Sequence, residues 1–141
     1  MELNFVKALK AGFAAYAFNN AIIGILGGML GFIISKLPSP DMIGQVVTLA
    51  IAAAVVYYTA IWYFSHQKAG WENGLILGAF FAAMSMVITL VQIVPQAIIQ
   101  GQVDQIGPFL TGILSNIAFW ISVGTTVLAG AAAGYVRNPK A

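Results

Sequence analysis

What most constrains this chain is where its charges are absent. Four long stretches, roughly 11–35, 42–65, 73–98 and 108–135, contain no Lys, Arg, Asp or Glu; the six basic and four acidic residues all lie between or beyond them. A helix needs about 20 apolar residues to cross a hydrocarbon core about 30 Å thick, and every stretch exceeds that, leaving room for tilt. Backbone polar groups in lipid must be satisfied within their own segment, so the stretches are expected to be helices. A barrel would need strands of about ten alternating residues, and no such alternation runs through the sequence. Composition agrees: 60% of residues are hydrophobic and 7% charged, where a soluble domain carries about one quarter charged.

The connections, roughly 36–41, 66–72 and 99–107, are too short to hold a soluble domain. Short links favour antiparallel sequential neighbours. The expectation is one transmembrane domain over 1–141, an all-α four-helix bundle running up-down-up-down. With no cysteine in the chain, disulfides, thiolate metal sites and cysteine nucleophiles are excluded. Lys7 and Lys10 precede an apolar run and Ala15-Tyr16-Ala17 loosely resembles a signal cleavage site. Too few apolar residues precede it for a signal peptide, so the first stretch is read as retained.

Basic residues set the expected orientation. Lys7, Lys10, Lys68, Arg137 and Lys140 fall on one side of the bundle and Lys36 alone on the other, which puts both termini in the cytoplasm by the positive-inside rule. The expected location is a prokaryotic cell membrane. Tyr57, Tyr58, Trp62, Tyr63 and Trp71 gather at the inner level as an interfacial belt. Trp120 falls near the middle of the fourth stretch, where its N–H needs a carbonyl, a hydroxyl or a subunit contact. The net charge is +2 with no basic patch interleaved with aromatics, so nucleic acid is not an expected partner. The expected partners are the lipid bilayer and other membrane helices, from further copies or a larger complex.

Local signals mark the helix ends. Ser39-Pro40-Asp41 reads as an N-cap, a first-turn proline and an acid suited to the helix dipole. Gly107-Pro108 opens the fourth stretch, Pro95 kinks or ends the third, and Gly101 and Asp104 belong to a turn. A short echo, Lys10-Ala11-Gly12 before the first stretch and Lys68-Ala69-Gly70 before the third, raises a repeat of two helical hairpins.

Each stretch carries small or polar residues at spacings of three and four, which fall on one side of a helix. They are Ala17, Asn20, Gly24, Gly27 and Gly31; Gln45, Thr48, Ala52 and Thr59; Gly74, Gly78, Ala82, Ser85, Thr89, Gln92 and Gln96; and Thr111, Ser115, Ala118, Ser122, Thr125, Ala129 and Ala132. Small residues let helices approach closely in lipid, where burying apolar surface gains little. Gly24/Gly28, Gly27/Gly31, Gly74/Gly78 and Gly130/Gly134 are GxxxG pairs and are the expected packing positions. The amides Asn19, Asn20, Gln92, Gln96 and Asn116 are expected to line a polar path or to bond between helices, because an unpartnered amide in lipid costs several kcal/mol.

Chemistry is sparse. His66 is the single histidine, so neither a metal set nor a Ser-His-acid array can be assembled around it. No phosphate-binding Gly-Lys motif and no histidine pair for a heme is present. No catalytic residue, cofactor or metal is expected, and the chain is read as a non-enzyme. Two roles remain. One is a structural, accessory or homo-oligomeric membrane component packing through its small-residue faces. The other is an oligomeric channel or transporter for a small neutral or weakly polar solute, lined by Asn, Gln, Ser and Thr.

Overall fold

A computed structural model describes residues 4–64 and 70–137. His66, Lys68 and Lys140 lie outside the described residues. Five helices follow one another: α1 (Phe5–Ile34), α2 (Pro40–Tyr63), α3 (Trp71–Ile99), α4 (Ile106–Ser115) and α5 (Ile117–Arg137), with a 3-10 turn at Val103–Gln105 leading into α4. Of these, α1, α2, α3 and α5 are long and apolar enough to cross a membrane. The chain is an integral membrane protein built as an all-α four-helix bundle.

The ends of the helices follow from their cap residues. Asn4 begins α1 ahead of the apolar stretch, its Oδ1 accepting the Lys7 N–H at 3.1 Å, so Lys7 and Lys10 ride on the first turns. This satisfies one of the donors a helix start leaves open. Ser39 does precede the first-turn Pro40, but in the left-handed region (φ 54°, ψ 58°) and without a side-chain capping bond. α3 continues through Pro95 to Ile99. It then closes on Gly101 (φ 66°), with Gln102 N–H donating to Ala97 O at 2.8 Å and Gly101 N–H to Ile98 O at 3.2 Å. Only glycine takes that left-handed position without a Cβ penalty.

The fourth apolar stretch is two helices, not one. The chain turns extended at Asn116 (φ −81°, ψ 117°), whose Oδ1 accepts the Ala118 N–H at 2.9 Å. In a continuous helix that N–H would bond to Leu114 O. The Leu114 carbonyl instead accepts the Trp120 indole N–H at 2.7 Å, which supplies the partner that Trp120 requires. α4 has no buried residue.

Around the bundle, α1 packs against α2 and α3, and α5 against the same two; α2 and α3 face each other across a diagonal. The short link between α2 and α3 therefore joins diagonal helices. The placement of α1 beside α3 also disagrees with a two-fold repeat along the bundle axis, which would set those two helices on a diagonal.

Burial is confined almost wholly to one end. α1 buries Ala8, Ala11, Gly12, Ala15 and Asn19 and nothing beyond; α2 buries only Val55, Val56, Thr59 and Ala60. α5 buries Thr126, Gly130, Ala133 and Gly134, while α3 buries five residues between Asn73 and Phe81 and then Ala97 alone, once Gly74 and Gly78 are counted with the contact described next. This sealed end holds the start of α1 and the finish of α5. Its core, with Phe64, Leu77 and Phe81 among small side chains, is tight because backbone meets backbone. A Cβ on Gly74 would strike the Gly130 carbonyl, one on Gly130 the Gly74 carbonyl, one on Gly78 the Thr126 carbonyl, and one on Gly134 would come within 2.5 Å of Gly70 O. Gly12 fits the same pattern on α1, where a Cβ would come within 2.7 Å of the Phe80 ring and 3.0 Å of Leu77 O. Two further bonds tie the helix ends: Asn4 N–H to Asn73 Oδ1 at 3.0 Å, and Arg137 Nε–H to Ile61 O at 3.1 Å.

Candidate functional site: an uncharged cavity in the open half

Beyond the sealed end the helices part and leave a cavity of about 730 Å³, within the range of small-molecule sites. α2 contributes Gln45, Thr48, Leu49 and Ala52 to its walls, α3 Ala82 and Ser85, and α5 Ala118, Phe119, Ser122 and Val123. Its deepest lining residues are Asn19, Phe81 and Thr126, all buried. No lining residue is charged. The floor is fixed from below. Gly78 abuts the Thr126 carbonyl, and Tyr16 meets Phe81 edge-on with ring centroids 6.1 Å apart.

The polar groups here are partly committed. The Ser85 hydroxyl donates to Phe81 O at 3.1 Å, and the Thr126 hydroxyl to Ser122 O at 3.1 Å and Val123 O at 3.0 Å. Such bonds return a hydroxyl hydrogen to its own helix. Asn19 is 8% exposed, and its Oδ1 is enclosed without a hydrogen-bond partner among the described residues. A buried carbonyl left unmet is uncommon and calls for a physical reason.

Of the five amides singled out from the sequence, the structure brings only Asn19 to the cavity. Asn20 is exposed one position further round α1, Gln92 and Gln96 are exposed on α3 away from the lining, and Asn116 is the cap at the α4–α5 break. None of the five makes a hydrogen bond between helices among the described residues. Asn73, which sequence reasoning did not single out, does so, and is 2% exposed. Thr126 was missed by one residue: the stripe through Ser122 continues as Thr126, Gly130 and Ala133, not as Thr125, Ala129 and Ala132. Gln45, Thr48, Ser85 and Ser122 were legible as stripe members.

The glycines divide in the same way. Gly74, Gly78, Gly130 and Gly134 make the α3–α5 contact, whereas a Cβ on Gly24, Gly28 or Gly31 would meet nothing within 4 Å and one on Gly27 only Ile23 of its own helix. Gly27 and Gly31 border a smaller cavity of about 210 Å³ between α1 and α2, which shares Gly44 and Thr48 with the larger one. Among the described residues no three His, Cys, Asp or Glu side chains gather as a metal set. What the site offers chemically is shape and hydrogen bonding by uncharged groups. No protein-family model, no curated protein and no solved structure matches the chain.

Proposed function

We propose that the chain is a non-catalytic membrane protein that admits a small uncharged solute into this cavity, as one conformation of a transporter. The observation that carries the reading is the contrast between the two halves: a backbone-to-backbone seal at one end and an uncharged cavity at the other. Alternating access needs a site reachable from one side while the other is shut. With the termini cytoplasmic, as the distribution of Lys and Arg favours, the seal faces inward and the cavity outward. No acid or base lines the cavity, so a solute would move down its own gradient without proton coupling through this site.

The absence of native cysteine makes accessibility the direct test. Single cysteines at Thr48 and Ser122 should react in intact membranes with an impermeant, water-soluble thiol reagent, and one at the buried Ala15 should not. If both cavity positions stay unlabelled while Gln102→Cys at the exposed turn reacts, the reading fails.

A second reading has its own observation. Among the described residues the glycines of the far half of α1 meet no other helix, while the same motif on α3 and α5 brings backbone against backbone. That favours assembly with other membrane helices, including further copies, through α1. It is tested by the oligomeric state of a Gly28→Leu variant.

A further inference from the structure

A separate cleft of about 430 Å³ lies at the sealed end and shares no lining residue with the large cavity. Leu9, Lys10, Phe13 and Ala14 of α1 line it, with Tyr63 of α2 and Phe80 of α3. These α1 positions lie off the packed side of the helix, which is Ala8, Ala11, Gly12 and Ala15, and Lys10 and Phe13 are exposed. The cleft therefore opens toward lipid. Gly12 sets one wall, because without a Cβ there the Phe80 ring lies directly against the α1 backbone. Lys10 is the one charged residue of the lining.

The cleft is charged at one level and apolar beyond it. Lys10 is the last charged residue before Lys36, so the charge-free part of α1 begins beside it. Phe13 and Ala14 stand about 4.5 Å and about 6 Å further along the helix axis. At the same end α2 finishes with Tyr63 and α3 starts with Trp71, and Trp62 and Trp71 are exposed, as amphipathic aromatics are at a headgroup boundary. Among the described residues this end carries Lys7, Lys10 and Arg137 against Glu72 alone. A water-soluble anion would meet Lys10 and leave Leu9, Phe13 and Phe80 unused. A zwitterionic lipid would use those side chains but bring a cation of its own to Lys10. A lipid of net negative charge matches both parts of the cleft. We propose that the cleft is a site for an anionic phospholipid, its phosphodiester on Lys10 and the Tyr63 hydroxyl and the first part of an acyl chain on Phe13 and Phe80. One basic residue at the membrane surface gives an anionic headgroup an advantage of about fivefold.

The test titrates the purified full chain, in a neutral detergent, with dioleoyl phosphatidylglycerol and dioleoyl phosphatidylcholine, which share acyl chains and differ in net charge. Native mass spectrometry reads the first lipid bound. The wild type is expected to hold the glycerol lipid about fivefold more tightly. Lys10→Gln, at an exposed position, should bring the two lipids level. Lys36→Gln should keep the preference, since that ammonium lies at the other end of α1, 4.0 Å from the Phe32 ring centroid. Phe13→Ala should weaken both lipids alike and keep their ratio. Soluble glycerol phosphate should not compete. Equal binding by the wild type, a preference that survives Lys10→Gln, or an equal loss in Lys36→Gln overturns the site. Competition by glycerol phosphate overturns the lipid as its occupant. Binding of neither lipid by a chain that sediments as a dimer overturns it too, and assigns the cleft to a second copy.

Discussion

Asn19 and Asn116 are both lone amides set in apolar sequence, and the backbone around each decides what it does. Asn116 stands where the helix stops, so its side chain reaches forward to the Ala118 N–H. Asn19 stands inside a continuous helix, so its amide is presented sideways toward the bundle. Replacing Asn116 with Ala removes a cap and should cost about 1 kcal/mol, seen as a lower melting temperature in micelles, whereas Asn20→Ala, exposed and unbonded, should stay within about 0.5 kcal/mol of wild type. Sequence placed Asn19 and Asn20 together as candidates because they are adjacent and similarly flanked. The 100° between successive residues separates them, and that phase is set by Gly12 lying against Leu77 and Phe80, a contact between distant parts of the chain.

Helices sort in a similar manner. With Gly70/Gly74 counted, five GxxxG pairs are visible in the sequence, and nothing local tells the pairs at α3 from the pairs on α1. The motif makes a contact only where a partner presents backbone at matching height. α3 and α5 do so in antiparallel register, Gly74 against Gly130, Gly78 against Thr126 and Gly70 against Gly134. The far half of α1 has no such neighbour among the described residues. Gly74→Ala or Gly130→Ala should therefore force the two helices apart at a cost toward or above the upper end of the about 1–3 kcal/mol typical of overpacking. Gly24→Ala meets open space and should be neutral or stabilising by up to about 1 kcal/mol from helix propensity. Thermal melts of the three variants in one detergent would check the contrast; equal losses would mean the α1 face is packed in the preparation. The break at Asn116 was also hidden from the sequence. The apolar run continues across it, and the competition of one side-chain oxygen for one N–H leaves no mark in hydropathy.

For the molecule as a whole, the number of crossings was legible because charge exclusion from lipid is a strong and simple rule. The order of helices around the bundle was not, since a short link constrains where α3 begins and not which neighbours its glycines find. The gradient of packing from one end to the other was equally hidden, because both ends are rich in small residues. If copies assemble through the uncovered face of α1, Gly28→Leu should shift sedimentation toward the monomer while leaving the far-side cavity open to thiol labelling. An unchanged sedimentation coefficient would set the assembly reading aside. The contact between α3 and α5 has a mechanical consequence as well. It acts as a fulcrum with a long free arm, since from Gly78 to the end of α3 is about 32 Å. At that leverage a tilt of about 10° moves the far tip by about 5.5 Å over that length. Small displacements at the fulcrum are thereby enough to change the width of the cavity, and a methyl group wedged there would act on cavity walls it never touches.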